Sequence, residues 1–265
     1  MKKRLFFFDI DETLYSKNSK KVLSQTKKLI LKLYQNNNNI LGIATGRNYQ
    51  NLNIISDLLP YFKYLVLTNG ALVLENNKII DENFINIQYI ENILQIIQNL
   101  SSEGNKIVAS CVSIDETSFF YNNDIKQLEI IKEWQKKFMI SINNKLYLQK
   151  KIFLINIFGE QRNKIEPFLK KLNYFNSYFW NDHIDLTIKN ISKAYGVKKI
   201  KEKYPDYELI CTGDGCNDLE MLELADIGIA MENSEYDEIF KKSNLKAPHI
   251  NENKMFDFFK KHNLC

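Results

Sequence analysis

The chain has 265 residues, 45% of them hydrophobic, and its 36 basic and 32 acidic residues leave a formal charge of +4. That length suits one large domain or two modest ones, with apolar residues enough for an ordinary core. The surplus charge is scattered as lysine pairs rather than gathered on one face or tail, which disfavours nucleic-acid binding.

The first predicted element is the strand Leu5–Phe8, an apolar and aromatic run that stops abruptly at Asp9, Ile10 and Asp11. If the extended backbone persists to the second acid, Asp9 and Asp11 share one side of the strand. Two carboxylates held together need a shared proton or a cation; the plainer reading is a solvated acidic turn. A helix is expected over Lys20–Gln35, ended by the asparagines at 36–39. A strand Ile40–Ala44 follows and runs into Thr45-Gly46-Arg47. The next helix continues through Leu58 and stops at Pro60, and a third strand covers Tyr64–Leu67. Ala71–Ile80, broken at Asn76-Asn77, reads as a β-hairpin.

From about Asp81 the regular alternation lapses. Helices are expected over Phe84–Leu100, Asp124–Phe138 and Gln161–Leu172. Strands are expected over Lys106–Cys111, Ser118–Tyr121, Ile152–Phe158, Tyr174–Trp180 and His183–Thr187. This pattern predicts an α+β module, an antiparallel sheet with helices on one face. Alternation resumes with helix Ser192–Lys203, strand Tyr207–Thr212, helix Asn217–Leu224, strand Ile227–Met231 and helices Asp237–Lys242 and Glu252–His262. The fold class is therefore α/β: a doubly wound parallel core over residues 1–81 and 188–265, with an inserted α+β domain over 82–187.

Open parallel sheets place their sites at the carboxyl ends of strands. Asp9 and Asp11 arrive there, as does Thr45-Gly46, a hydroxyl and an unobstructed N–H suited to an oxyanion or phosphate. Lys193 opens a helix, and the glycine turn at 213–218 presents Asp214, Asn217 and Asp218. Singly, Thr45-Gly46 reads as a helix cap and Lys193 as a solvated lysine; together they make a joint site. No P-loop, GxSxG elbow or HExxH occurs, which disfavours nucleotide kinases, α/β-hydrolases and zinc proteases. His183, His249 and His262 have no catalytic context.

DIDETL (9–14), ATGR (44–47), NISK (190–193) and GDGCNDLEML (213–222), in that order, resemble the four motifs of the haloacid dehalogenase superfamily. TNGA (68–71) and ADIGIAM (225–231) are similar to its Cof-type, class IIB phosphatases, which carry a cap of the C2B type between the second and third motifs. The resemblance implies a Rossmann-like core and a phosphatase for a small phosphorylated metabolite. Asp9 would be the nucleophile that becomes an aspartyl phosphate, Asp11 the general acid and then base, and Lys193 a further catalytic residue. Mg2+ would be held by the Asp9 and Asp214 side chains and the Asp11 carbonyl, with Asp218 in an outer shell. Thr45, Gly46, Lys193 and Asn217 would hold the phosphoryl group. Two positions depart from the pattern: Glu12 and Ala194 stand where relatives often have glycine. A phosphomutase and a non-catalytic phospho-acceptor module are the alternatives.

Cys111, Cys211, Cys216 and Cys265 fit neither a disulfide framework nor a zinc pattern. No apolar run reaches the ~18 residues of a membrane span, and Asp9 and Asp11 interrupt any signal-peptide pattern at the start. A reduced, cytoplasmic protein without membrane or nucleic-acid partners is expected. Nothing in the sequence bears on oligomeric state.

Overall fold

The computed structural model describes residues 2–265. They divide into two compact units: residues 2–47, Asn51–Glu82 and Ser192–Cys265 form the first, Asn48–Gln50 and Asn83–Ile191 the second.

Strand β1 (Arg4–Phe8) is central to the first unit's sheet, and Leu5, Phe6, Phe7 and Phe8 are fully buried. Phe6 and Phe8 meet the Phe259 ring at 6.4 and 6.1 Å, while Leu5 and Phe7 pack with Val197, Ile200 and Met221. Apolar residues at consecutive positions are what a strand covered on both faces requires. Each phenylalanine so buried contributes roughly 2 kcal/mol.

After β1 come β2 (Tyr15–Ser16) and β3 (Lys21–Val22), an antiparallel pair, and then α1 (Ser24–Tyr34). The helix predicted from Lys20 starts later because Lys21 and Val22 pair with Ser16 and Tyr15. Strands β4 (Asn39–Ala44) and β5 (Tyr64–Leu67) follow as expected. Between them the predicted helix is replaced by 3-10 turns, Tyr49–Ile55 and Leu59–Tyr61, and Pro60 lies inside the second instead of ending a helix. Leu52 and Ile55, one 3-10 turn apart, take the buried side. Strands β6 (Leu72–Glu75) and β7 (Lys78–Glu82) form the expected hairpin, with Asn76 and Asn77 at φ 49° and 63° as a two-residue turn demands.

The second unit runs α2 (Ile87–Ser102), β8 (Val108–Val112), β9 (Thr117–Phe120), α3 (Ile125–Gln135), β10 (Ser141–Ile142), α4 (Leu146–Gln149), β11 (Leu154–Phe158), α5 (Glu166–Leu172), β12 (Phe175–Phe179) and β13 (His183–Ile188). Asn86 and Asp124 accept from Gln88 N and Lys126 N, and these caps put the starts of α2 and α3 inside the predicted spans. The strand order is β10-β9-β8-β11-β13-β12, antiparallel except for the parallel pair β9–β10. Helices cover both faces, not one. Ala109, Cys111, Ile155 and Ile157 pack with α2 and α5, whereas Val108, Phe158 and Phe119, of opposite strand parity, pack with Ile130, Ile131 and Trp134 of α3.

A polar row crosses that second face. Asp185, buried on β13, accepts from Asn156 Nδ2 at 2.6 Å and Trp180 Nε1 at 3.2 Å, and lies 3.3 Å from His183 Nε2. Burial alone would lower the His183 pKa, but Asp185 and Asp182 outweigh it and lift it to about 9. A histidine raised above its unfolded value stabilises the fold fully below pH ~6.5, and that contribution is lost as pH rises through about 9. The stability difference between the wild type and His183→Gln should therefore shrink by on the order of 2 kcal/mol between pH 6 and 9.5. Denaturant titrations at the two pH values measure it, and a constant difference would show that the acids do not hold the imidazolium.

The chain returns to the first unit with α6 (Lys193–Lys201), β14 (Glu208–Gly213), α7 (Leu219–Leu224), β15 (Ile227–Met231), α8 (Asp237–Lys242), β16 (Leu245–Ala247) and α9 (Met255–Lys261). The predicted helix from Glu252 splits at Asn253, which takes a left-handed φ of 55°. The sheet order is β16-β15-β14-β1-β4-β5-β6-β7, parallel from β16 to β5 and antiparallel through the hairpin. From β1 the chain steps outward through β4 and β5, and later places β14, β15 and β16 on the other side. The reversal occurs at β1, so the carboxyl ends of β1, β4 and β14 open a crevice at one switch point. The α/β core expected from the sequence is present. Among the described residues no helix is long and apolar enough to cross a membrane, and all four cysteines are free.

Candidate active site

Strand β1 ends at Phe8, before either acid, so strand alternation does not govern Asp9 and Asp11. Asp9 N donates to Thr212 O of β14 at 2.9 Å, which ties the first acid to the neighbouring strand. Its carboxylate accepts from Lys193 Nζ at 2.7 Å. That lysine is the first residue of α6, behind Ser192, whose hydroxyl accepts from Tyr195 N. Lys193 is 1% exposed, so it is no solvated helix lysine.

A second acceptor for Lys193 is Asp218 Oδ1, also at 2.7 Å. The other Asp218 oxygen accepts from Asp214 N and Gly215 N at 3.1 and 2.9 Å, which fixes the turn after β14. Asp214 in turn accepts from Thr13 Oγ1 at 3.1 Å, and its carbonyl from Ser234 Oγ at 2.6 Å. One carboxylate oxygen each from Asp9, Asp214 and Asp218 lies within 4.8 Å of the others. Three acids against a single ammonium leave excess negative charge in a buried place. Burial, then the neighbouring acids, lift the Asp9 carboxyl to about 7 in spite of Lys193, and lift Asp214 as well. Asp218 and Asp9 hold Lys193 firmly protonated against its burial. An all-oxygen donor set in which Asp9 and Asp214 resist ionisation suits a hard divalent cation.

Asp11 turns elsewhere. Its two oxygens accept from Arg47 Nε and Nη2, both at 2.8 Å, a bidentate pair. Burial would raise the Asp11 carboxyl, but Arg47 outweighs it and keeps it below the ordinary range. Arg47 was not among the residues singled out from sequence, although it directly follows Thr45-Gly46. Thr45, 1% exposed, accepts from Arg47 N at 3.2 Å, and the next helical turn starts only at Tyr49, so Thr45 caps a local turn and not a helix. Asn217 is 6% exposed and donates from Nδ2 to Asn69 Oδ1 at 2.7 Å. The same Asn69 oxygen lies 3.1 Å from where a Gly46 side chain would begin. Asn69, Thr13 and Ser234 are further residues that sequence reasoning did not single out. The TNGA match covered Asn69 and the DIDETL match covered Thr13, but neither assigned the residue a role.

Glu12 has φ 55°, the left-handed region. Glycine would take that conformation without strain, whereas Glu12 takes it with a side chain attached. Its side chain accepts from Lys17 N at 2.6 Å and so closes a local turn. Glu12→Gly should therefore leave turnover within about twofold of wild type, the range of a substitution that touches no reacting group. A larger loss in steady-state assays would place the Glu12 carboxylate in the chemistry.

The family model described as haloacid dehalogenase-like hydrolase matches residues 6–257, which takes in every motif above. The chain belongs to this family. A Buchnera aphidicola (subsp. Baizongia pistaciae) protein provisionally named a phosphatase is 28% identical over 261 residues, covering 93% of this hydrolase and 92% of the relative. YkrA of Bacillus subtilis, also provisionally named a phosphatase, is 27% identical over 238 residues, 88% of each chain. Among solved structures, the phosphatase BT1666 of Bacteroides thetaiotaomicron superposes with a TM-score of 0.85 at 17% identity, over 100% of this hydrolase and 96% of that chain. The subclass IIB sugar phosphatase BT4131 gives 0.81 at 21% identity, over 99% and 100%. Both are similar in fold along the whole length.

Proposed function

We propose that this hydrolase is a Mg2+-dependent phosphatase of small phosphorylated metabolites that works through an aspartyl phosphate on Asp9. The observation that carries the reading is the convergence of Asp9, Asp214 and Asp218 oxygens within 4.8 Å around the buried Lys193. The relatives named as phosphatases support the phosphatase class, and the likeness to the sugar phosphatase BT4131 favours sugar phosphates among the substrates.

Asp9 attacks phosphorus with a carboxylate oxygen as the bond to the leaving oxygen breaks, and the product alcohol takes its proton from Asp11. Water then attacks the phosphorus of the acyl phosphate and gives its proton to Asp11. Inorganic phosphate leaves and the Asp9 carboxylate is restored. Asp11, ionised beside Arg47, is ready for the second half; the first half requires it to give up Arg47, take a proton from solvent and turn that proton toward the leaving oxygen. Lys193, the Thr45 hydroxyl, the Gly46 N–H and Asn217 hold phosphoryl oxygens as charge redistributes. Asp9, Asp214 and the Asp11 carbonyl are the residues that would hold Mg2+, with Asp218 behind them. When bound, the ion supplies positive charge that offsets repulsion between the nucleophile and the phosphoryl group.

The test is a panel of phosphorylated sugars, nucleotides and cofactors together with an aryl phosphate, assayed for phosphate release over many turnovers. Release that stops on chelation and returns with Mg2+ is expected. A single labelling event without turnover, or conversion of a substrate to its phosphate isomer, would overturn the phosphatase reading.

A further inference from the structure

The connection between β5 and β6 is conspicuous within the first unit. Thr68, Asn69 and Gly70 have φ of 49°, 55° and 96°, three left-handed residues in succession, all buried. A β-branched residue rarely takes that conformation, and the Thr68 hydroxyl is buried without a hydrogen-bond partner. Hairpin turns use left-handed residues, but they need neither a β-branched one among three in succession nor a buried hydroxyl without a partner. Strain of this kind persists only where the surroundings impose it, and it gathers at functional sites.

The surroundings here are the phosphoryl-holding segments themselves. Thr68 N donates to Arg47 O and Asn69 N to Thr45 O, both at 3.0 Å, so the loop is tied to the turn that carries Thr45 and Gly46. The Asn69 amide oxygen accepts from Asn217 at 2.7 Å. Gly70 lies so close to the start of α6 that an added Cβ would stand 1.9 Å from Ser192 O, immediately before Lys193. One loop thus abuts Thr45-Gly46, Asn217 and Ser192-Lys193, which reach the site from three distant parts of the chain.

We infer that the Thr68–Gly70 loop sets the phosphoryl seat, and that Asn69 is a positioning residue acting through Asn217. By taking one Asn217 N–H, Asn69 fixes which end of that amide faces the seat and leaves the second N–H for a phosphoryl oxygen. The inference rests on the phosphatase reading for the role of the seat, but its test does not need a known substrate.

Asn69→Gly is the informative variant, because glycine accepts φ 55° without strain and only the amide is lost. Binding of inorganic phosphate in the presence of Mg2+, measured by calorimetry, should weaken at least about tenfold, while Tm moves by less than about 4 °C. Asn217→Ala should weaken binding comparably, and the double variant should be no worse than Asn217→Ala alone. With an ester that is turned over, kcat should fall more than KM changes. Equal phosphate affinity in the wild type and Asn69→Gly, no phosphate binding by the wild type, or independent losses in the double variant would overturn the inference. Failure of the phosphatase reading looks different: phosphate binds and responds to Asn69→Gly, yet no ester is hydrolysed.

Discussion

Asp9→Asn should lower phosphate release by at least about a thousandfold with any ester, because the amide can occupy the position of the carboxylate but cannot form an acyl phosphate. Its oxygen can still accept from Lys193, so the arrangement around α6 should survive. The variant should even gain stability in chelator at pH 8. The Asp9 carboxyl is lifted from 3.8 to about 7, chiefly by burial and then by Asp218 and Asp11, with Lys193 opposing. An acid raised in the folded state penalises folding above its unfolded pKa, and the penalty is complete once pH exceeds about 7. Asparagine never incurs it. The advantage over wild type should therefore be present at pH 8 and fade as pH falls toward 4. Rapid turnover of an aryl phosphate by Asp9→Asn would remove the nucleophile from the mechanism. A stability loss at pH 8 would mean that the Lys193 contact outweighs burial.

Strand β1 could be read because its apolar residues are consecutive and the acids follow without transition. The glycine turn after β14 was equally legible, since a tight turn does not require an acid, an amide and an acid at 214, 217 and 218. Their convergence with Asp9 was not. It depends on pairing β1 with β14, whose partners Phe8 and Thr212 lie far apart in sequence, and no local pattern encodes that register. The rule that open parallel sheets gather sites at their strand ends, and then similarity to a family, stood in for it.

Other features were hidden for local reasons. A helical apolar spacing does not separate α-helix from the 3-10 turns at Tyr49–Ile55, where each buried contact is met by a single turn. The parity that sends Val108 and Ala109 to opposite faces was visible, but which helix covers each face was not. Nothing local to Arg47 marks it as the partner of Asp11, 36 residues away in sequence. Asn69 looked like the end of a strand, since a backbone φ cannot be read from TNG alone. The shared reason is that composition and period report burial, whereas side-chain partners at a site are set by tertiary contact.

Lys193→Met should produce the largest loss of stability of any substitution considered, about 3–5 kcal/mol in chelator at pH 8, the range for breaking a buried pair from one side. Methionine matches the length and fills the space, so packing is spared and the missing term is charge. Lys193 is 1% exposed and hydrogen-bonds Asp9 and Asp218 at 2.7 Å each. Without it, three carboxylate oxygens within 4.8 Å face one another with no cation among them. Two recoveries should follow. Acid relieves the defect: Asp9 and Asp214 are already raised, so protons bind as pH falls through their folded values and the repulsion disappears. Divalent cation relieves it at pH 8, because an ion that binds only the folded acids adds stability by mass action. Activity should not return with stability, since the metal does not replace an ammonium on a phosphoryl oxygen. Thermal melts of wild type and Lys193→Met, with chelator and with Mg2+, measure all of this. Equal melting temperatures in chelator at pH 8 would mean that the acids tolerate one another unaided, and the case for a cation at their centre would fall with that result.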